Sequence, residues 1–202
     1  KRQDGTNTIT SGSTTNDAVL TVTFTGSETT TNFASSDITV SGGALGTLSG
    51  SGTTYTATFI PSADGATTID VLASMYTDSA GNNNTTATQY TWTYDSTPPT
   101  ISSVSLSTDN SSIDVTMNEV SYKNLGGDSL QVNDFELSIS GGTATISSAT
   151  PSGISSSGNV YTLGISLSGT PEGREVLTVE HNIIYDLAGK EASTSQIRGE
   201  TI

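Results

Sequence analysis

Acidic side chains are the residues of this sequence best suited to chemistry, because they recur at matching positions in its two halves. The 202 residues include 20 Asp and Glu against 6 Lys and Arg, a formal net charge of −14. One set comprises Asp4, Glu28 and Asp78, and its counterpart comprises Asp95, Glu119 and Asp186. Three converging carboxylates repel one another unless a cation neutralises them. Ca²⁺ accepts six to eight oxygens at about 2.3–2.6 Å in flexible geometry, so it fits such sets better than Mg²⁺ or Zn²⁺.

The two halves are copies of one domain type. Residues 37–43 return as 136–142, residues 55–59 as 161–165, and residues 78–82 as 186–190. A period of roughly 100 residues is far longer than a solenoid repeat, so each copy is expected to build its own core. The sequence therefore predicts two tandem domains, 1–96 and 97–202. Pro98 and Pro99 restrict the backbone at the junction of the two domains, so this junction is expected to be short, extended and stiff. The pair of domains is therefore expected to form an extended rod.

Both copies are predicted to be all-β. Only 32% of the residues are hydrophobic, and much of the rest is Thr, Ser, Gly and Asn, which suit strands with one wet face and tight turns. Apolar residues alternate with polar ones over 18–24 and again over 113–117, which are equivalent second strands. The absence of cysteine excludes disulfides and thiolate metal sites.

The remaining alternating segments complete two sets of short antiparallel strands. Candidates in the first copy are residues 38–41, 54–59, 67–73 and 88–94. Candidates in the second copy are residues 101–107, 135–140, 143–148, 160–167, 175–180 and 193–201. Seven short strands per copy, separated by Gly, Asn and Ser, are typical of an immunoglobulin-like antiparallel β-sandwich.

This topology predicts where the carboxylates meet. The loop after the second strand and the loop between the sixth and seventh strands both lie at the end where the chain enters the domain. Glu28 and Asp78 are therefore expected to lie together near the entering Asp4. By the same argument Glu119 and Asp186 are expected to lie beside the linker residue Asp95, so calcium is predicted at the interdomain junction.

Acidic residues at the opposite end of the first copy could add ligands to the junction. Asn16 and Asp17 lie between its first and second strands, and Asp64 lies between its fifth and sixth. Their loops are expected to face the linker. The alternative is that these residues are turn formers with exposed carboxylates, which explains Asp64-Gly65 but not the parallel positions of Glu28 and Glu119.

Three motifs carry a resemblance to a known family. They are Asp-x-Thr-Pro-Pro at 95–99, a second strand that ends in Glu, and Asp-x-Ala-Gly-Asn at 78–82. Over essentially its whole length the chain resembles the bacterial immunoglobulin-like repeats of large secreted adhesins and biofilm-associated surface proteins. Lys190 departs from the pattern, since the first copy has Asn82 there, and it offers no oxygen ligand.

The resemblance implies a structural function. Members of such families are extended stalks, often rigidified by calcium, that carry a binding tip away from the cell. The chain is therefore expected to be a monomeric spacer at the bacterial cell surface or in the extracellular medium, with neighbouring Ig-like repeats of the same parent chain as its partners. Alternatives are a β-sandwich module that binds a surface glycan or protein, and accessory domains of a large secreted hydrolase.

Other function classes find little support in the sequence. The negative charge disfavours nucleic acid and anionic lipid, and no stretch approaches the roughly 20 apolar residues of a membrane span. The single histidine, His181, lacks a nucleophile motif to serve, so no enzyme is predicted. Trp92 lies in an alternating run with Tyr90 and Tyr94, which favours a packing role over a sugar-stacking platform.

Overall fold

A computed structural model describes residues 8–193 and 196–202 of the chain, which divide into two compact units between Ser96 and Thr97. Both units consist of β-strands, with one short 3₁₀ turn in each, Ser35–Asp37 and Val132–Asp134. Each unit contains two main sheets of three or four strands. The prediction of all-β, sandwich-type domains is confirmed.

The first domain has seven strands in its described residues. They are β1 (Thr14–Thr15), β2 (Leu20–Thr30), β3 (Thr39–Ser41), β4 (Gly43–Leu45), β5 (Ser49–Pro61), β6 (Gly65–Asp70) and β7 (Tyr90–Tyr94). One sheet has the order β1-β7-β6-β3, with β1 parallel to β7, and the other has the order β2-β5-β4. Alternate residues of β5 and β6 point inward, because a strand's side chains alternate between the two faces of its sheet.

The core of the first domain is small and aromatic. Phe59 and Trp92 pack edge to face with ring centroids 4.9 Å apart, and both side chains are buried. Ile69 and Val71 complete the contact between the sheets. Trp92 therefore has the packing role that the sequence favoured.

The described residues of the second domain form nine strands. They are β8 (Ile101–Leu106), β9 (Ser112–Met117), β10 (Phe135–Ser140), β11 (Thr145–Ile146), β12 (Ile154–Ser157), β13 (Val160–Gly164), β14 (Leu167–Ser168), β15 (Val176–His181) and β16 (Ile197–Thr201). The main sheets have the orders β12-β13-β9-β8 and β10-β15-β16, and β11 pairs with β14 alone. Its core is larger than that of the first domain, with Ile113, Val115, Met117 and Leu163 fully buried.

Strand ends differ from the sequence-based bounds wherever pairing overrides the apolar pattern. The Gly- and Ser-rich strands β4 and β12 show no alternation and were not predicted. The predicted strand 160–167 is divided between β13 and β14, which pair with different neighbours. The predicted strand 67–73 ends at Asp70, because its pairing with β3 stops there and its pairing with β7 stops one residue earlier, at Ile69.

A buried carboxylate links two loops of the second domain. Glu175 is inaccessible to solvent; its Oε1 accepts hydrogen bonds from the backbone of Thr143 (3.0 Å) and Ala144 (3.2 Å), and its Oε2 accepts them from Glu172 (2.9 Å) and Arg174 (3.2 Å). Hydrogen bonds from backbone N–H groups lower the pKa of Glu175 from 4.5 to about 2, although burial opposes the shift. The largest contribution comes from the N–H of Glu172, and smaller ones come from those of Ala144 and Arg174.

The first prediction concerns Glu175→Gln, which replaces one accepting oxygen with a donor facing backbone N–H groups. At neutral pH we expect the melting temperature of the second domain to fall by roughly 5 °C or more. The folded-state pKa lies below the unfolded one, so this stabilisation is present above about pH 4.5 and is lost as the pH falls towards 2. Thermal unfolding of both proteins at several pH values measures the difference.

Glu172→Gln is the matched control, since Glu172 is exposed on the same loop and loses the same charge. A Glu175→Gln protein as stable as this control at pH 7 would contradict the role assigned to the buried carboxylate.

The second prediction is that each half folds alone, because each has its own buried core. Proteins comprising residues 1–96 and 97–202 should each unfold in one cooperative transition, followed by circular dichroism in urea. Loss of cooperative unfolding in either half would show that the repeat does not mark an autonomous domain.

Candidate metal site

The same tight turn holds the late aspartate in both domains. The backbone N–H of Asp78 donates to the carbonyl of Asn82, and that of Asp186 donates to Lys190, both at 3.0 Å. In the opposite direction, Asp78 Oδ1 accepts a hydrogen bond from the backbone N–H of Asn82 at 2.8 Å, and Asp186 Oδ1 accepts one from the backbone N–H of Lys190 at 2.7 Å. A glycine with a φ of 90° in the first turn and 86° in the second precedes the last residue. The two turns therefore present their carboxylates in the same way.

The carboxylates of the two turns differ in their surroundings. Asn82 Nδ2 donates to Asp78 Oδ2 at 2.8 Å, and this side chain is the main cause of the lowered pKa of Asp78. Lys190 replaces this amide in the second domain. Asp78 is partly exposed, whereas Asp186 is only 2% exposed. The second domain thus holds the more buried of two equivalent carboxylates.

Glu119 and Asp186 approach each other within the second domain. One carboxylate oxygen of each lies within 4.8 Å of the other. Two oxygens bound to one Ca²⁺ at its usual ligand distance lie at most about 5 Å apart, so this separation is compatible with a shared ion. Beside them Asn118 holds the start of the domain, accepting from the Thr100 N–H at 2.6 Å and donating to the Pro98 carbonyl at 3.3 Å.

A buried tyrosine fixes the loop that carries Glu119. The hydroxyl of Tyr161 accepts from the Ser121 N–H at 2.8 Å and donates to the Ser121 carbonyl at 2.9 Å. Burial raises the pKa of Tyr161. Reciprocal backbone hydrogen bonds of 2.7 and 2.8 Å then join Tyr122 to Tyr185, next to Asp186. The two acidic loops are therefore tied together by groups other than the carboxylates.

Three aspartates gather at the end where the chain leaves the first domain. The Asp95 N–H donates to the Thr15 carbonyl at 3.0 Å, and Thr15 Oγ1 donates to Asp17 Oδ2 at 2.9 Å. Asp64 Oδ1 accepts from the backbone and the hydroxyl of Ser96 at 2.8 and 2.7 Å. Asp17 and Asp64 thus flank the segment that carries Asp95.

Of the remaining predicted ligands, Glu28 and Asp4, the structure describes Glu28. Glu28 does not lie in a loop after the second strand, because β2 continues past a break in its pairing register to Thr30, and Glu28 is an exposed residue within it. Thr30 bridges Asp78, which brings the end of β2 beside the turn. Asp4 lies outside the described residues, so the grouping of Glu28, Asp78 and Asp4 stays a prediction.

His181 is a buried strand-end residue. It ends β15 with 5% of its surface exposed, and its Nδ1 lies 2.7 Å from the Asn182 carbonyl. This burial points to a packing role in the domain interior.

Sequence reasoning missed the residues that support the acidic loops. Tyr161 and its counterpart Tyr55 each stand at the start of a repeated block. The hydroxyl of Tyr55 donates to the Thr30 carbonyl at 2.9 Å. Their recurrence was visible, but their hydrogen bonds span 25 and 40 residues of sequence. Asn118, next to Glu119, gave no signal because asparagine is a common turn residue.

Comparisons with known proteins bear on the family and the fold. Residues 2–94 match the family model described as "Bacterial Ig-like domain". No curated protein sequence matches the chain significantly. A solved structure titled "Chimeric titin Z1Z2 functionalized with a KLER exogenous peptide from decorin" is similar at 13% identity and a TM-score of 0.25, covering 95% of this chain and 90% of that one.

The first domain thus matches the bacterial Ig-like domains along nearly its whole length, and the second repeats its motifs. Ig-like domain families are generally non-enzymatic. Within the part of the chain that the structure describes, no helix has the length and apolar character needed to cross a membrane.

The third prediction separates the two tyrosine anchors. Tyr161→Phe removes the hydroxyl that pairs with both backbone groups of Ser121 and leaves the buried Ser121 N–H unsatisfied, so we expect a loss of about 1–3 kcal/mol in the second domain. Tyr55→Phe removes one hydrogen bond and should cost the first domain about 1 kcal/mol. Urea unfolding measures both, because fluorescence of Trp92, the single tryptophan, reports the first domain and circular dichroism reports both. Equal losses would show that the doubled hydrogen bond adds nothing.

Proposed function

We propose that this chain comprises two spacer repeats of a secreted or surface-anchored bacterial adhesin, and that calcium at the interdomain junction rigidifies them. The observation that carries the proposal is the Glu119–Asp186 carboxylate pair in a tandem array whose first domain is a bacterial Ig-like domain. Domains of this family typically occur in surface or secreted proteins, which supports an extracellular location.

The proposed ion has Glu119 and Asp186 as its first ligands. We add Asp95 because it lies three residues before Pro98, whose carbonyl is held by Asn118 next to Glu119. Asp17 or Asp64 would supply a further oxygen, since both flank the segment of the first domain that carries Asp95. Such a ligand set is all oxygen, which suits Ca²⁺.

An equivalent site would involve Glu28, Asp78 and Asp4 of the first domain. There the Asn82 amide already satisfies one oxygen of Asp78, and the exit loops of a preceding repeat would have to complete the ligand set. Neighbouring repeats of the same parent chain are therefore the proposed partners, and binding at this second site should be weaker.

Stiffness would follow from two restraints acting together. Pro98 and Pro99 limit the backbone of the linker, and an ion bound by ligands on both sides of the linker would remove much of its remaining freedom. The proposed product is a rod that carries a binding tip away from the bacterial surface, as in biofilm-associated proteins.

A second candidate function is a binding module for a neutral glycan or peptide. It is favoured by an open cavity of about 550 Å³ in the first domain, whose lining residues include Thr29, Phe33, Thr47, Leu48 and Tyr55. This size falls within the range of ligand sites. Chemical-shift changes at these residues with a panel of oligosaccharides would support it, and their absence would remove it.

The fourth prediction is that Ca²⁺ raises the melting temperature of the whole chain and narrows the distribution of interdomain angles. A ligand that binds only the folded form adds about 2.7 kcal/mol at a hundredfold excess over its Kd. Asp186→Ala should remove most of this response, whereas Asp78→Ala should remove less. Titration calorimetry and small-angle scattering, each with calcium and with chelator, measure the two effects.

Two controls keep the experiment specific. Mg²⁺ should give a much smaller response, because it requires near-ideal octahedral geometry. Asp70→Ala removes an exposed pairing between Gln89 and a carboxylate that is not among the predicted ligands, and it should keep the calcium response. Equal losses from Asp186→Ala and Asp78→Ala, or the absence of calcium binding by the wild type, would sink the assignment.

A further inference from the structure

The first strand of each domain pairs differently, and within residues 8–96 this leaves one sheet edge of the first domain open. In the second domain β8 lies antiparallel to β9 along residues 101–106. In the first domain the corresponding stretch follows β7 instead, since Gly12 donates to Thr91 at 2.8 Å and Thr93 donates to Ser13 at 2.9 Å. Among the described residues β2 therefore has β5 as its sole neighbour in the sheet.

Burial measures the consequence of this difference. In β9 the inward residues Ile113, Val115 and Met117 are all 0% exposed. Their equivalents in β2, Leu20, Val22 and Phe24, are only half-buried, although they pack on the core of the first domain.

The neighbouring strand shows that a strand of this sheet with partners on both sides does bury its inward residues. In β5 the inward residues Tyr55, Ala57 and Phe59 are at most 9% exposed, and Tyr161 and Leu163 of β13 are likewise buried. Because β5 lies between β2 and β4 whereas β2 has a described neighbour on one side, the difference in burial follows the difference in pairing.

The edge also lacks the usual protection against strand pairing. Edge strands are commonly guarded by lysine, proline, inward-pointing charges or short length. The segment Leu20 to Thr25 contains only apolar residues and threonine, and β2 is 11 residues long. The first feature of β2 that would hinder pairing with another strand is the break in register after Thr25.

We propose that this edge of the first domain pairs with the same edge of a second copy of the chain, β2 against β2, about a two-fold axis. The strand that covers the equivalent edge in the second domain alternates apolar residues with serine, and β2 itself carries this kind of pattern. No charged residue lies between Leu20 and Thr25, so the pairing brings no like charges directly opposite one another.

The two-fold axis fixes the register. Directly opposite residues in antiparallel strands face the same side of a sheet. Placing Val22 opposite Val22 of the second copy sets Leu20 opposite Phe24, so that all inward apolar residues meet. On the outer face Thr21 then lies opposite Thr23 of the second copy. The product is a continuous six-stranded sheet, built from two three-stranded ones.

This self-pairing is expected to be weak in solution, because a single strand pair buries less area than a standard interface. Chains held side by side on a surface would gain from effective concentration. The inference does not depend on calcium or on the spacer function, and the experiments are therefore done in chelator.

The fifth prediction is a monomer–dimer equilibrium of the full chain by sedimentation analysis from micromolar to millimolar concentration. Thr21→Lys combined with Thr23→Lys places like charges opposite each other and should raise the dimer Kd about tenfold. Thr21→Glu combined with Thr23→Lys places opposite charges together and should lower it about threefold. Thr21, Thr23 and Thr25, the threonines on the outer face of β2, are exposed, so the fold should tolerate both double substitutions.

Thr54→Lys combined with Thr58→Lys is the matched control. Both residues are exposed on β5, and Thr58 lies directly beside Thr21 in the sheet. It adds the same charge one strand away from the edge and should leave the dimer Kd nearly unchanged. Hydrogen exchange should also show protection of the amides of Leu20 to Thr25 that increases with protein concentration.

Three results would overturn the proposal. They are a wild type that stays monomeric at millimolar concentration, a control that weakens the dimer as much as the β2 lysines do, and two β2 variants with the same effect. A synthetic peptide of residues 100–107 that protects the β2 amides of a chain that stays monomeric would assign the edge to a foreign strand, and would also overturn self-pairing.

Discussion

The burial of each core depends on whether the strand that carries its inward apolar residues has a neighbouring strand on both sides. With 32% hydrophobic residues and no cysteine, each domain must obtain its stability from a thin layer of inward side chains. In the second domain β9 lies between β8 and β13, and its inward residues lose all contact with solvent. Among the described residues of the first domain β2 has one neighbour, and the same positions stay half-buried. A single difference in strand pairing thus accounts for much of the difference between two related cores.

Polar anchors supply what the thin cores cannot. The Glu175 carboxylate accepts four backbone hydrogen bonds in the interior of the second domain, and Tyr161 satisfies both backbone groups of Ser121. Buried polar groups cost free energy unless they are satisfied, so such anchors specify one loop arrangement as well as stabilise it. They hold long loops that have little apolar surface of their own.

These anchors bear on the candidate metal site because hydrogen bonds outside the Glu119–Asp186 carboxylate pair tie the two acidic loops together. Tyr161 and the Tyr122–Tyr185 bridge hold the loops of Glu119 and Asp186, while the main chain of Lys190 holds Asp186 Oδ1. A cation would then bind to a preorganised group of oxygens, and little of its binding free energy would be needed to order the loops. Preorganisation of this kind suits a structural ion better than a transient one.

The sequence by itself determined the class of fold and the repeat, because alternation of side chains and recurrence of motifs are local properties, and it predicted the carboxylates of the candidate site. The Asp78 and Asp186 turns could be matched from five residues each. Only the tertiary structure decided which strand the entering chain pairs with, since Ile9 and Ile101 begin similar segments yet face different neighbours. It also decided that Glu28 lies within β2, that Glu175 is buried, and that Tyr161 reaches Ser121, because each depends on contacts between residues far apart in the chain. Backbone pairing partners leave no periodic signal in a sequence, and that is the physical reason for the division.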